Sequence, residues 1–151
     1  MTEVVSKQAA KIAAGTKLTG ADYGFPRVVV FTSPDTVTWA NGDTLGSGIR
    51  LPIGTRILCG GVASFADMGT SITLDVGLRN ASTLVAVDAD GIAAAVDVAT
   101  AAARSNLNSG ALIKDGVEYV TTVETEIYAT LSGGTPTANA QIRIEVPVLL
   151  P

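Results

Sequence analysis

The sequence predicts an all-β fold: an antiparallel β-sandwich, jelly-roll-like, preceded by an N-terminal arm. Three observations carry that prediction. Several stretches alternate apolar and polar residues with period two, the mark of strands with one covered face. Clusters of Gly, Pro, Asn and Asp interrupt the chain at intervals of roughly 8–15 residues. Helical periodicity is confined to the first dozen or so residues. Together they predict roughly seven to nine short strands in two antiparallel layers.

The longest alternating stretch, Val117–Leu131, organises the rest. Its odd positions (Val117, Tyr119, Thr121, Val123, Thr125, Ile127, Ala129, Leu131) are mostly apolar. Its even positions carry Glu118, Glu124 and Glu126. Read as one strand, it would cross the height of a small domain and require a second sheet over its apolar side.

Residues 1–26 read as an arm and 27–151 as the β-sandwich domain. Val5, Ala9, Ile12 and Ala13 form one stripe of a short helix, with Thr2 able to cap its start and Gly15 its end. A helix of about twelve residues is marginal alone in water and must dock. The following LTGADYGFP is irregular or extended and closes at Pro26.

The body begins with RVVVFTS from Arg27, stopped by Ser33-Pro34-Asp35. Thr36–Ala40 alternates around Val37 and Trp39, and Asn41-Gly42-Asp43 turns. A short strand follows, then a bend at Leu51–Gly54 and a longer strand from Thr55 to Ala66, where Gly60-Gly61 signals a bulge or a close backbone contact. Asp67–Thr70 reads as a hairpin into Ser71–Leu78, whose Ile72, Leu74, Val76 and Leu78 face inward. The Ala-rich run within 79–110 fits either short helical turns or another strand. Asp115-Gly116 reads as a two-residue hairpin between Ala111–Lys114 and Val117–Val120. The last strand buries Ala140, Ile142, Ile144, Val146 and Val148, and Pro147 places its end at an edge or beyond the pairing.

Composition narrows the function. One domain fits 151 residues, with roughly 70% of the unfolded surface buried on folding. There is no histidine, which removes the commonest general base and zinc ligand. The single cysteine, Cys59, is expected to be a buried, inert thiol within a strand. The net charge of −4 argues against nucleic-acid binding. Through residue 27, Lys7, Lys11, Lys17 and Arg27 against Glu3 and Asp22 leave +2, so the remainder carries −6. No signal peptide and no apolar run of about 20 residues is seen, so no membrane partner is expected.

Candidate chemistry is sparse. Glu124 and Glu126 share a strand face with Glu118; on an exposed face they are expected to pair with Arg143 across strands. Asp88-Ala89-Asp90-Gly91 with Asp97 has Gly at the wrong position for a calcium loop and reads as a turn. Gly133-Gly134-Thr135 lacks the lysine and helix of a phosphate loop. Trp39, Tyr23, Tyr119 and Tyr128 are candidates for a glycan platform, with core membership the alternative. No catalytic residue, cofactor or metal site is assigned, and the chain is not read as an enzyme.

Three stretches taken together, GDTLGSGIRLPIGTRILCGGV, GTSITLDVGL and ETEIYATLSGGTPTANAQIRIEV, resemble the capsid decoration, or cement, proteins of tailed bacteriophages. The likeness spans about residues 20–148 and lies in turn and strand pattern. It implies a structural protein of the virion, made in the host bacterial cytoplasm and bound to the outer surface of the head. There it would bridge neighbouring major capsid protein subunits, as a homodimer in preference to a homotrimer. Under that reading the arm, with Val5, Lys7, Ile12, Lys17, Tyr23 and Phe25, and one apolar strand edge form the capsid contacts. The alternatives are a tail or fibre module and a glycan-binding module.

Overall fold

In the computed structural model the described residues are 13–15, 26–99, 104–116 and 119–151. The candidate arm residues Val5, Lys7, Ile12, Lys17, Tyr23 and Phe25 lie outside them, as does Glu118. Gly15, expected to end the N-terminal helix, has φ of +70°, the left-handed value of a helix C-cap.

The strands are β1 (Arg27–Thr32), β2 (Thr44–Gly46), β3 (Arg56–Ile57), β4 (Gly61–Phe65), β5 (Thr73–Asn80), β6 (Ala86–Asp97), β7 (Arg104–Leu107), β8 (Tyr119–Val120), β9 (Thr125–Ser132) and β10 (Ile142–Leu149). All pairings are antiparallel, in two sheets. One runs β7-β4-β10 with β1 on the other edge of β10, and β3 and β8 continuing beyond β4 and β7; the other runs β2-β9-β5-β6. First pairs with last (β1·β10), then β2·β9, β4·β7 and β5·β6 nest inside. This nesting of antiparallel pairs is a jelly roll.

The core lies between the sheets. Leu74, Val76 and Leu78 of β5, Ile127 and Leu131 of β9, and Ile142, Ile144 and Val146 of β10 are all 2% exposed or less. Each such side chain contributes about 1.5–3 kcal/mol by leaving water. The alternation predicted for β5 and β10 is therefore the alternation observed. Trp39 is also in the core, its indole N–H donating to the Ala140 carbonyl at 2.9 Å.

Several local expectations are corrected. Val117–Leu131 is not one strand: β8 belongs to the first sheet and β9 to the second, with a corner at 121–124. Thr121 makes the corner, donating to the Pro52 carbonyl (2.9 Å) and accepting from the Thr55 N–H (3.0 Å). Asp67–Thr70 closes no hairpin, because β4 and β5 lie in different sheets. Asp115 and Gly116 both hold positive φ, as a type I′ turn requires, yet they form a 3₁₀ turn and β8 pairs with β3.

Pro147 is central and not at an edge. Its carbonyl accepts from Leu58, so its missing N–H faces the gap where β3 ends and β4 begins, a break in the ladder that needs no donor. That break also displaces Cys59, which is exposed in a bend and not buried in a strand. The close contact expected at Gly60-Gly61 is present: a Cβ on Gly61 would stand 2.9 Å from the Glu145 carbonyl. The Ala-rich run forms β6, because β5 offers it a ladder that outweighs the helical preference of Ala.

Candidate docking surface

At one end of the roll, β1 begins and β10 finishes, and the segments 47–55, 81–85 and 121–124 join the sheets or their strands. Nine large apolar side chains are exposed among the described residues, and eight lie at or beside this end: Val28, Ile49, Ile53, Leu84, Val85, Val87, Val120 and Leu150. Ile53 and Val85 are 62% and 65% exposed. Single exposed apolar residues are ordinary, whereas a cluster at one pole marks a contact surface.

The backbone beneath is held firmly. Leu51 and Thr125 exchange both backbone hydrogen bonds, 2.8 and 3.0 Å, so the 47–55 segment is stitched to the start of β9. Gly54 donates to the Thr121 carbonyl at 2.8 Å with φ of +90°, a conformation that suits glycine and leaves Ile53 pointing outward at the bend. In the 81–85 turn, the Asn80 side-chain oxygen accepts from both Ser82 and Thr83 at 2.9 Å. This Asx turn is short enough that Leu84 adopts φ of +59° and stays exposed. Arg50 bridges the two segments, reaching Glu124 at 3.5 Å and the Ser82 hydroxyl at 3.4 Å.

A cleft of about 220 Å³ opens beside this end, walled by Val28, Val29, Ile49, Leu51, Val148 and Leu150, with Arg27 and Arg50 at its rim. Its lining is mainly apolar, which suits an inserted side chain better than a polar ligand.

The carboxylates expected on a wet strand face are separated. Glu124 is half-buried, whereas Glu126 is buried on the outer side of its sheet. Its partner is Arg79 (2.9 Å), and the Gly48 N–H donates to it at 2.6 Å. Burial by itself would raise the Glu126 pKa, but the Arg79 hydrogen bond, the Gly48 N–H and the Arg79 and Arg50 charges outweigh it and hold the carboxyl below 4.5. Arg143 instead pairs with Glu145 on its own strand (2.7 Å).

Asp88, Asp90 and Gly91 belong to β6, where the ladder to β5 shifts register, and Gly77 provides the room: a Cβ there would collide with the Asp88 carbonyl and Ala89 backbone. Burial, then the hydrogen bond with Asp90, raises the Asp88 pKa. Among the described residues no three His, Cys, Asp or Glu side chains are placed to hold a metal. Burial also raises the Tyr128 pKa, and Arg79 lies over its ring at 5.0 Å. Trp39 and Tyr128 thus present no open face to a sugar, and Tyr23 lies outside the described residues.

The apolar pole was missed in the sequence because five of its residues, Ile49, Ile53, Leu84, Val85 and Leu150, stand outside the strands, while Val28, Val87 and Val120 are exposed on theirs. A signal existed: Ile53 lies between Pro52 and Gly54, and Leu84-Val85 directly follows the polar Ser82-Thr83, where turn chemistry favours polar side chains.

These features define a class: an all-β jelly roll whose apolar pole suits docking. No family model and no curated protein matches the chain. Among solved structures, it is similar to a chain of the "Capsid of Ralstonia phage GP4", with a TM-score of 0.66 and 17% identity over 85% of this chain and 86% of the other. It is also similar to a chain of the "Cyanophage Pam1 capsid asymmetric unit", with a TM-score of 0.54 and 23% identity over 91% and 96%. Both likenesses are of fold.

Proposed function

We propose that this chain is a structural virion protein of a tailed bacteriophage that binds the outside of the head and cements neighbouring major capsid protein subunits. One observation carries the reading: exposed apolar side chains gather at one pole of a roll that is shared, nearly end to end, with chains of two phage capsids. The pole docks on the shell, and residues 1–26, which enter the roll at Arg27 beside that pole, extend the contact. Apolar burial drives docking, and many copies bound to one shell add modest contacts by effective concentration. The role is mechanical and asks for no catalysis.

The test is co-sedimentation with heads of the encoding phage. The reading expects saturable binding that Ile53→Asp/Val85→Asp weakens by tenfold or more, since about 1.4 kcal/mol is tenfold and each charge would be desolvated on docking. Equal binding by the variant would refute the pole as the contact. No binding by the native chain would refute the decoration role.

A further inference from the structure

The cleft beside the pole is walled from both sheets. Val28 and Val29 of β1, Val148 of β10 and the following Leu150 form one side. Ile49 and Leu51 form the other, on a segment stitched to the start of β9 through Leu51. Val29, Leu51 and Val148 are buried and make a floor, whereas Val28, Ile49 and Leu150 are exposed and stand as lips. The floor belongs to closed ladders: Val29 pairs with Val146, Arg27 with Val148, and Leu51 with Thr125. The cleft is therefore formed before anything enters it. Its volume of about 220 Å³ lies below the roughly 300–1,000 Å³ of small-molecule pockets and suits a single large side chain.

The rim is basic although the chain is acidic, with a net charge of −4. Arg27 and Arg50 both line the cleft. Among the described residues no acid pairs with Arg27, which is exposed. Arg50 reaches Glu124 at 3.5 Å, and its side chain is 60% exposed. Glu126 also feels the Arg50 charge, but its carboxylate is committed to Arg79 and to the Gly48 N–H. Both rim guanidiniums thus keep donors facing water, in the planar fork that matches a carboxylate.

We propose that the cleft takes one large apolar side chain flanked by carboxylates, presented by a segment of the major capsid protein. This rests on the docking reading above and names the chemistry that the pole recognises. The apolar side chain leaves water against the floor and lips, as an anchor residue does in a preformed pocket. The flanking carboxylates meet Arg27 and Arg50, and such rim pairs fix orientation and register more than they add affinity. The net acidity of the remaining surface disfavours the same segment elsewhere, so the charges also select this pole over the others.

The experiment titrates acetyl-Asp-Phe-Asp-amide into the full chain without heads and follows the amide shifts of Val28, Ile49, Leu51 and Leu150 by NMR. Saturable shifts at these amides are expected. Acetyl-Lys-Phe-Lys-amide, which meets like charge, and acetyl-Asp-Gly-Asp-amide, which offers nothing to the floor, are each expected to bind about tenfold or more weakly. Arg27→Glu/Arg50→Glu changes exposed side chains alone and is expected to reverse the preference between the acidic and basic peptides. The same variant is expected to co-sediment with heads about tenfold or more weakly than the native chain. Absence of shifts with the acidic peptide, or equal shifts with all three peptides, overturns the proposal. A cleft already filled by this chain's own residues or by a second copy gives the first of these results. A variant that keeps the native peptide preference, or that binds heads as the native chain does, overturns it too. A native chain that binds no heads refutes the docking reading instead, and the peptide titration still decides what the cleft takes.

Discussion

The Arg79–Glu126 pair offers the sharpest test of how the outer layer is held. Glu126→Gln keeps the shape and an acceptor for the Gly48 N–H but leaves the Arg79 guanidinium without its anion. Side-chain exposure is 15% for Arg79 and 8% for Glu126, with the contact at 2.9 Å. A hydrogen bond to a charged group contributes about 1.5–3 kcal/mol, and breaking a fully buried pair costs about 3–5 kcal/mol. Water still reaches one side of Arg79, so the expected loss near pH 7 is about 2–3 kcal/mol. The folded-state pKa of Glu126 lies below its ordinary value of 4.5. Its contribution is therefore complete above the unfolded pKa and is lost as pH falls through the folded one. Urea unfolding followed by Trp39 emission should show the full difference between native chain and variant near pH 7. The difference should shrink below about pH 4.5 and vanish once the native carboxyl is protonated. A difference under about 0.5 kcal/mol near pH 7, within surface-substitution scatter, would refute the reasoning. So would one that does not change with acid.

Other expectations follow from the corners and the fold-over. Gly77→Ala drives a methyl into the Asp88 carbonyl and the Ala89 backbone, and should cost about 1–3 kcal/mol in urea unfolding. Thr121→Val removes the hydroxyl that joins Pro52 and Thr55 at the corner, and should cost about 1–3 kcal/mol on the same assay. Cys59 should react with a thiol reagent in the folded protein, and Cys59→Ser should leave stability within about 0.5 kcal/mol.

The strands that cross the core were legible because burial imposes period two. Ile72–Leu78 and Ala140–Val148 each show one face to the opposite sheet, and nothing else competes for it. The corner at Thr121 was not legible. Threonine suits a strand as well as a polar corner, and only the distant Pro52 and Thr55 reveal which role it takes. Glu126 misled for a related reason: alternation assigns it to water, but the Gly46–Gly48 segment and Arg79 cover the outer face at that point. Pro147 and Cys59 depended on one ladder break between β3 and β4, a pairing fact that local sequence does not carry. The docking pole was hidden because most of its residues, Ile49, Ile53, Leu84, Val85 and Leu150, stand outside the strands. Such residues become meaningful only when 47–55, 81–85 and 149–151 converge in space.

The most direct measurement of the central claim is a side-chain footprint of the protein bound to heads against the protein free in solution. Hydroxyl-radical labelling should fall at Ile49, Ile53, Leu84, Val85 and Leu150, with the loops at the opposite pole, 33–43 and 133–139, labelled equally in both states. Protection of the opposite pole with Ile53 and Val85 left open would contradict the account.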